Sequence, residues 1–225
     1  MSICEIRGQR KMKTVLLTGF EPFGGAMVNP SWLAVRRLNG RVIRGHRIVA
    51  RQLATVYDQS LATLQRHLKM VKPALVICVG QAEGRAEVTP ERVAINVDDS
   101  RIPDNAGRKP VDVPVVPGGP VAYWSTLPVK VIVRALRQRG IPASVSPTAG
   151  TFVCNHVFYG LMHELAKNGN QVRGGFIHVP LLPAPQPPRR GKGRARSGQS
   201  GLPLEMMMEA LTVAVRESLR PPWSG

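Results

Sequence analysis

The sequence predicts an α/β fold: a single-domain, three-layer α/β/α sandwich on a mostly parallel, twisted, mixed sheet. Three observations lead there. Segments with strand composition alternate with segments of helical period along the chain. The run Ala74–Val79 (ALVICV) is apolar without alternation, so both of its faces must be covered. The chain has 225 residues, 43% hydrophobic and 20% charged, which is ample for one core and unlike a disordered chain.

Residues 1–11 (MSICEIRGQRK) have no apolar period and read as a disordered tail; translation could start at Met1 or at Met12. The domain then occupies 12–225. Residues 14–18 (TVLLT) are a strand signal, followed by a Gly/Pro loop over 19–25. Ser31 is a candidate cap for a helix running to about Leu38 and stopped by Asn39-Gly40. Residues 47–54 read as a strand. Leu61, Leu64, Leu68 and Val71 recur at helical spacing over 57–70, and Pro73 closes that helix. Strand 74–79 follows. The Gly/Pro-rich stretch 80–127 holds short extended pieces such as 92–97, and so long a loop region points to function. A helix over 128–139 begins at a proline and ends at Gly140. Residues 143–146 read as a strand, 154–167 as a helix and 175–179 as a buried strand. A low-complexity Pro/Gly/Arg loop is expected near 184–201, then a helix over 203–219 with Leu204, Met207, Met208, Leu211 and Val215 inward.

Composition narrows the function classes. No apolar run approaches membrane-spanning length, and the first residues lack the apolar core of a secretory signal. Three cysteines, Cys4, Cys78 and Cys154, stand far apart, which argues against a disulfide framework or a structural zinc site. A cytoplasmic, reducing setting is expected. The 31 Lys and Arg against 14 Asp and Glu give +17, with five basic residues among the eight of 189–196. No aromatic residue is interleaved there, so a stacking platform for nucleic acid is not indicated; a solvated basic loop is the plainer reading.

In open α/β sheets, sites collect at the carboxyl ends of strands. Cys154 falls in the first turn of a helix after one such end, where the helix dipole favours a nucleophilic thiolate. A buried, inert thiol is the commoner fate of cysteine. His178 ends the strand GGFIHV, within reach of a general-base role. His156 is closer in sequence, but residues two apart do not share a helix face. A third, acidic member would orient the imidazole. Glu83, Glu87, Glu91, Asp98, Asp99 and Asp104 are all candidates, and composition does not choose among them. Glu91 could equally pair with the adjacent Arg92.

Eight short motifs in order decide more. They are Thr18–Gly25 (TGFEPFGG) with Asn29–Trp32 (NPSW), Val79–Ala82 (VGQA) with Gly84-Arg85, and Thr89–Asn96 (TPERVAIN). Arg101–Asn105 (RIPDN), Thr148–His156 (TAGTFVCNH) and Gly174–Pro180 (GGFIHVP) complete the set. Together they resemble the pyroglutamyl-peptidase I family of cysteine peptidases, from Met12 to about residue 183. The resemblance implies Cys154 as nucleophile, His178 as general base and Glu91 as the acidic member, with Arg101 supporting the oxyanion. It implies hydrolysis of the amide bond after an N-terminal pyroglutamyl residue through a thioester, with no cofactor or metal. For the neutral lactam ring it implies apolar walls at Phe20, Phe23 and Phe152, hydrogen-bonding groups at Gln81 and Val153, and Asn29 fixing the loop. A homotetramer is the family's usual assembly, and peptides with N-terminal pyroglutamate are the expected partners. Leu181, Ala184-Pro185, Glu83, Pro147 and the basic insert depart from the family pattern.

Overall fold

The structure is a computed structural model and describes residues 12–169, 171–183 and 201–221. The expected tail over 1–11 and nearly all of the basic loop near 184–201 lie outside the described residues. Strands β1 (Lys13–Phe20), β2 (Val42–Ile43), β3 (His46–Leu53), β4 (Leu75–Gln81), β5 (Thr89–Pro90) and β8 (Arg173–Val179) form one sheet in the order β2-β3-β1-β4-β8-β5. The four central strands, β3, β1, β4 and β8, run parallel; β2 and β5 pair antiparallel at the two edges. The sheet is therefore mixed with a parallel centre, as the alternation of elements predicts. Strands β6 (Val93–Ile95) and β7 (Ala122–Trp124) make a separate antiparallel pair.

Helices α1 (Pro30–Arg37), α3 (Val129–Arg137) and α5 (Leu204–Ser218) share one core, while α2 (Tyr57–Val71) and α4 (Val153–Lys167) share the other. The period of two along each strand sorts the side chains between them. In β4, Leu75, Ile77 and Val79 face the first core, while Val76 and Cys78 face the second. In β8, Ile177 and Val179 face the first and Phe176 the second. His178, two residues beyond Phe176, thus falls on the face covered by α4, the helix that carries Cys154. This sorting positions the site.

Several expectations are corrected. Asn29, not Ser31, caps α1: its Oδ1 accepts from the Ser31 amide at 3.0 Å and from the Ser31 hydroxyl at 2.8 Å. The segment 143–146 is not a strand of the sheet. It forms isolated parallel bridges, Val88 to Ala143 and Glu91 to Ser146. Pro90, Pro142 and Pro147 remove the donors a continuous ladder needs. The β2–β3 hairpin was not expected; Arg44 (φ 48°) and Gly45 (φ 72°) make its turn, both left-handed, as a two-residue hairpin loop requires.

Candidate active site

The site forms where β4, β5 and β8 meet the start of α4. The antiparallel pairing of β5 with β8 sets Thr89 opposite His178, and the Glu91 amide donates to the Phe176 carbonyl at 2.9 Å. The Glu91 carboxylate is thereby delivered to the imidazole: Glu91 Oε1 lies 2.7 Å from His178 Nδ1, with both side chains buried. With Glu91 ionised, Nδ1 is the donor, which leaves Nε2 as the basic nitrogen. Phe176 packs under the ring, its centroid 4.9 Å away.

Cys154 is the second residue of α4 and remains half-buried. Gly80 pairs with His178 in the β4–β8 register, and the Cys154 sulfur rests on Gly80: a Cβ at Gly80 would lie 2.9 Å from Sγ and 2.8 Å from Phe176 Cζ. Only glycine admits the sulfur beside this strand end. No side chain caps α4, whose N-cap is Phe152, so the first-turn amides, Cys154's included, have no side-chain acceptor. The expectation that the helix start lowers the thiol's pKa is outweighed. Burial first, with the Glu91 charge adding to it and Arg85 opposing, raises the Cys154 thiol to about 12. The thiol of the free protein therefore keeps its proton until a base takes it.

A frame of hydrogen bonds fixes the first turn of α4 against the segment 95–99. Asn155, fully buried, accepts from the Ile95 amide at 3.1 Å and donates to the Ile95 and Val97 carbonyls at 2.9 and 3.0 Å. The Asp99 amide donates to the Thr151 carbonyl at 3.0 Å. His156 turns away from the sulfur and pairs its Nδ1 with Asp98 Oδ2 at 2.8 Å, so it does not compete with His178.

A model of the family described as pyroglutamyl peptidase matches residues 13–220. The chain belongs to the pyroglutamyl peptidase family. Among relatives of this family, the pyrrolidone-carboxylate peptidase 1 of Ralstonia nicotianae is 56% identical over 209 residues, 93% of this chain and 94% of that one. The pyrrolidone-carboxylate peptidase of Bacillus mycoides is 57% identical over 172 residues, 76% and 80% of the two chains. Among solved members, the pyroglutamyl peptidase I of Bacillus amyloliquefaciens has TM-score 0.84 at 50% identity, covering 92% of this chain and 96% of its own. The pyrrolidone carboxyl peptidase of Thermococcus litoralis has TM-score 0.85 at 37% identity, covering 92% and 94%.

The residues that the resemblance to pyroglutamyl peptidases nominated do not all gather. Glu91, His178 and Cys154 share the strand-end cluster. Phe23 and Phe152 meet at a tilt with ring centroids 5.1 Å apart, and Tyr57 meets Phe152 edge-on at 5.6 Å, forming an aromatic corner one residue before Val153. Phe20 is buried in the core against Phe176 rather than lining open space. Asn29 fixes its loop, donating to the Glu21 carbonyl at 3.0 Å. Gln81 ends β4, half-buried. Arg101 is exposed and makes none of the described hydrogen bonds or ion pairs. The guanidinium at the cluster is that of Arg85, whose Nη1 lies 2.7 Å from Glu91 Oε1. Arg85 stands inside the Gly84-Arg85 motif, yet no role was read there. The signal that could have found it is that a carboxylate as deeply buried as Glu91 requires a cation. Among the described residues, no group of His, Cys, Asp and Glu could hold a metal ion.

Proposed function

We propose that this chain is a cysteine peptidase that removes N-terminal pyroglutamate from peptides, using Cys154, His178 and Glu91. The observation that supports this most is the buried Glu91–His178 bond of 2.7 Å on a strand end whose glycine receives the Cys154 sulfur. The names of the relatives and solved neighbours agree with it. In this reading, the Cys154 sulfur attacks the pyroglutamyl carbonyl carbon as His178 Nε2 takes the thiol proton. A thiol held near 12 gains its nucleophilic form only as that proton moves. Glu91 holds the imidazole by Nδ1 and offsets its positive charge. The Cys154 amide, in an uncapped first turn, donates to the oxyanion. The carbon–nitrogen bond then breaks, and His178 returns its proton to the leaving amine. Water, deprotonated by His178, attacks the thioester, releasing pyroglutamate and the free thiol.

The lactam ring sits against the Phe23–Phe152 corner, with Gln81 and the Val153 backbone as its polar contacts. Phe20 packs on Phe176, which lies against the His178 ring, and Asn29 holds the loop that carries Phe23. Support of the oxyanion by Arg101 rests on the family resemblance alone, since its side chain is exposed and outside the contacts described. A cytoplasmic homotetramer completes the reading. No described helix is long and apolar enough to cross a membrane. A nucleic-acid role through 189–196 rests on residues outside those described and is not adopted. Release of coumarin from a pyroglutamyl-coumarin amide tests the assignment: the parent chain should turn over, and Cys154→Ser should not. Full activity in that variant would refute it.

A further inference from the structure

Glu91 is an unusual place for a charge. Its side chain is fully buried, Oε2 has no hydrogen-bond partner among the described residues, and Oε1 is shared between two donors, His178 Nδ1 and Arg85 Nη1, each at 2.7 Å. An ionised carboxylate in such surroundings needs a counter-charge to stay ionised. It also repels a second negative charge nearby, and attack by Cys154 requires that charge on sulfur. Once the thiol proton is on His178, the site holds two negative charges against one imidazolium, so a second cation is needed for balance.

Arg85 is that cation, and it is held from three sides. Nη1 donates to Thr89 Oγ1 at 2.6 Å as well as to Glu91, and Nη2 reaches the Thr148 carbonyl at 3.3 Å. Thr89 is the partner of His178 in the β5–β8 ladder, and Thr148 opens the loop that leads into α4. The guanidinium thus spans the acid, the strand that brings the acid to the base, and the segment before the nucleophile. The side chain is 30% exposed, so it meets solvent at one edge while facing a buried anion at the other. Its planar fork is what allows three acceptors at once; a lysine offers one point charge.

Resting on the peptidase reading above, we propose that Arg85 is a positioning residue of this site: it fixes the Glu91 carboxylate on His178 and cancels its charge toward Cys154. The opposed influences of Glu91 and Arg85 on the Cys154 thiol agree with this.

The test separates the proposal from the peptidase assignment by using a readout that needs no turnover. Alkylation of Cys154 by iodoacetamide is followed against pH by mass spectrometry, beside kcat and KM on a pyroglutamyl-coumarin amide. Arg85→Gln should move the alkylation curve to higher pH by about one unit and lower kcat about tenfold or more, with KM little changed. In a Glu91→Gln background, Arg85→Gln should lose most of that shift, because the charge it offsets is gone. Arg85→Lys should keep the alkylation curve in place and lose kcat severalfold, because the charge survives and the fork does not. An unmoved curve in Arg85→Gln, a shift of equal size in the Glu91→Gln background, or a loss confined to KM overturns the proposal. Should Arg85→Gln fail to fold, Arg85→Lys decides alone: lowered kcat with the curve in place supports it, and unchanged kcat overturns it. A parent chain that turns over no pyroglutamyl amide would sink the peptidase reading, and the alkylation series would still judge Arg85.

Discussion

Gly80 joins the proposed nucleophile to its proposed base. It sits opposite His178 in the ladder and beneath the Cys154 sulfur, so even a methyl group there would meet Sγ at 2.9 Å and Phe176 at 2.8 Å. Gly80→Ala should therefore cut kcat by about a hundredfold, since displaced reacting groups cost that much. A near-normal rate in a folded Gly80→Ala protein, checked on a pyroglutamyl amide, would contradict the geometry. Glu91→Gln should leave the imidazole held by a weaker acceptor without a compensating charge, with a loss of about a thousandfold in kcat. At this scale much was legible in the sequence. The carboxyl end of a strand and the start of a helix make His178 and Cys154 candidates by position; the family motifs, not position, choose them. Glu91 was one of six acids that composition does not rank. Its selection depends on β5 folding back antiparallel onto β8, a pairing across 87 residues that leaves no local trace. Arg85 escaped for a related reason: its partner is not a sequence neighbour with helical or strand spacing, but a carboxylate whose burial only the fold creates.

Among the elements, α4 and β1 carry the two sharpest expectations. Asn155 makes three hydrogen bonds to the 95–97 backbone from a fully buried side chain. Asn155→Ala strands those groups and should cost about 3 kcal/mol of stability, read as a lowered urea midpoint with unchanged slope. Gly19, near the end of β1, lies under α1: a Cβ would come within 2.7 Å of the Trp32 backbone. Gly19→Ala must push the helix off the sheet, with a loss of about 3 kcal/mol in the same measurement. Helices were read closely from their periodicity and stop signals, because Pro73 and Gly140 end them through local backbone chemistry. Strands were read less well. The β2–β3 hairpin turns on Arg44-Gly45, which carries no Asn-Gly or Asp-Gly signal, and residues 143–146 have strand composition but are flanked by prolines that deny them a ladder. The capping error at α1 is a two-residue slip between adjacent competent caps, Asn29 and Ser31, which bond to each other in the folded chain.

For the whole molecule, the parallel centre and the two cores follow from strand–helix alternation and the unalternating strand at 74–79; the antiparallel edges and the order of the strands do not, since they are set by a hairpin without a turn signal and by contacts distant along the chain. Protonation gives a global prediction. Burial raises the thiols of Cys78 and Cys154 from 9.0 and the Tyr57 phenol from 10.0, each to about 12. Between those limits the folded chain holds protons the unfolded chain releases, so these contributions are whole below about pH 9 and are lost as pH rises toward 12. Burial lowers His67 and His163 below 6.5, so their contribution is present above 6.5 and is lost as pH falls below it. The urea midpoint should therefore be highest between about pH 7 and 9 and decline on both sides; a midpoint still rising at pH 10 would contradict this. In the proposed mechanism one sulfur, oriented through one imidazole and one buried acid, carries the pyroglutamyl group during turnover. Rapid acid quenching of the enzyme reacting with a pyroglutamyl ester, followed by peptide mass analysis, tests it most directly. One added pyroglutamyl group is expected on the peptide containing Cys154, absent in Cys154→Ser and depleted in His178→Ala. Turnover with no acyl group on that peptide, or with the group on another residue, would contradict it.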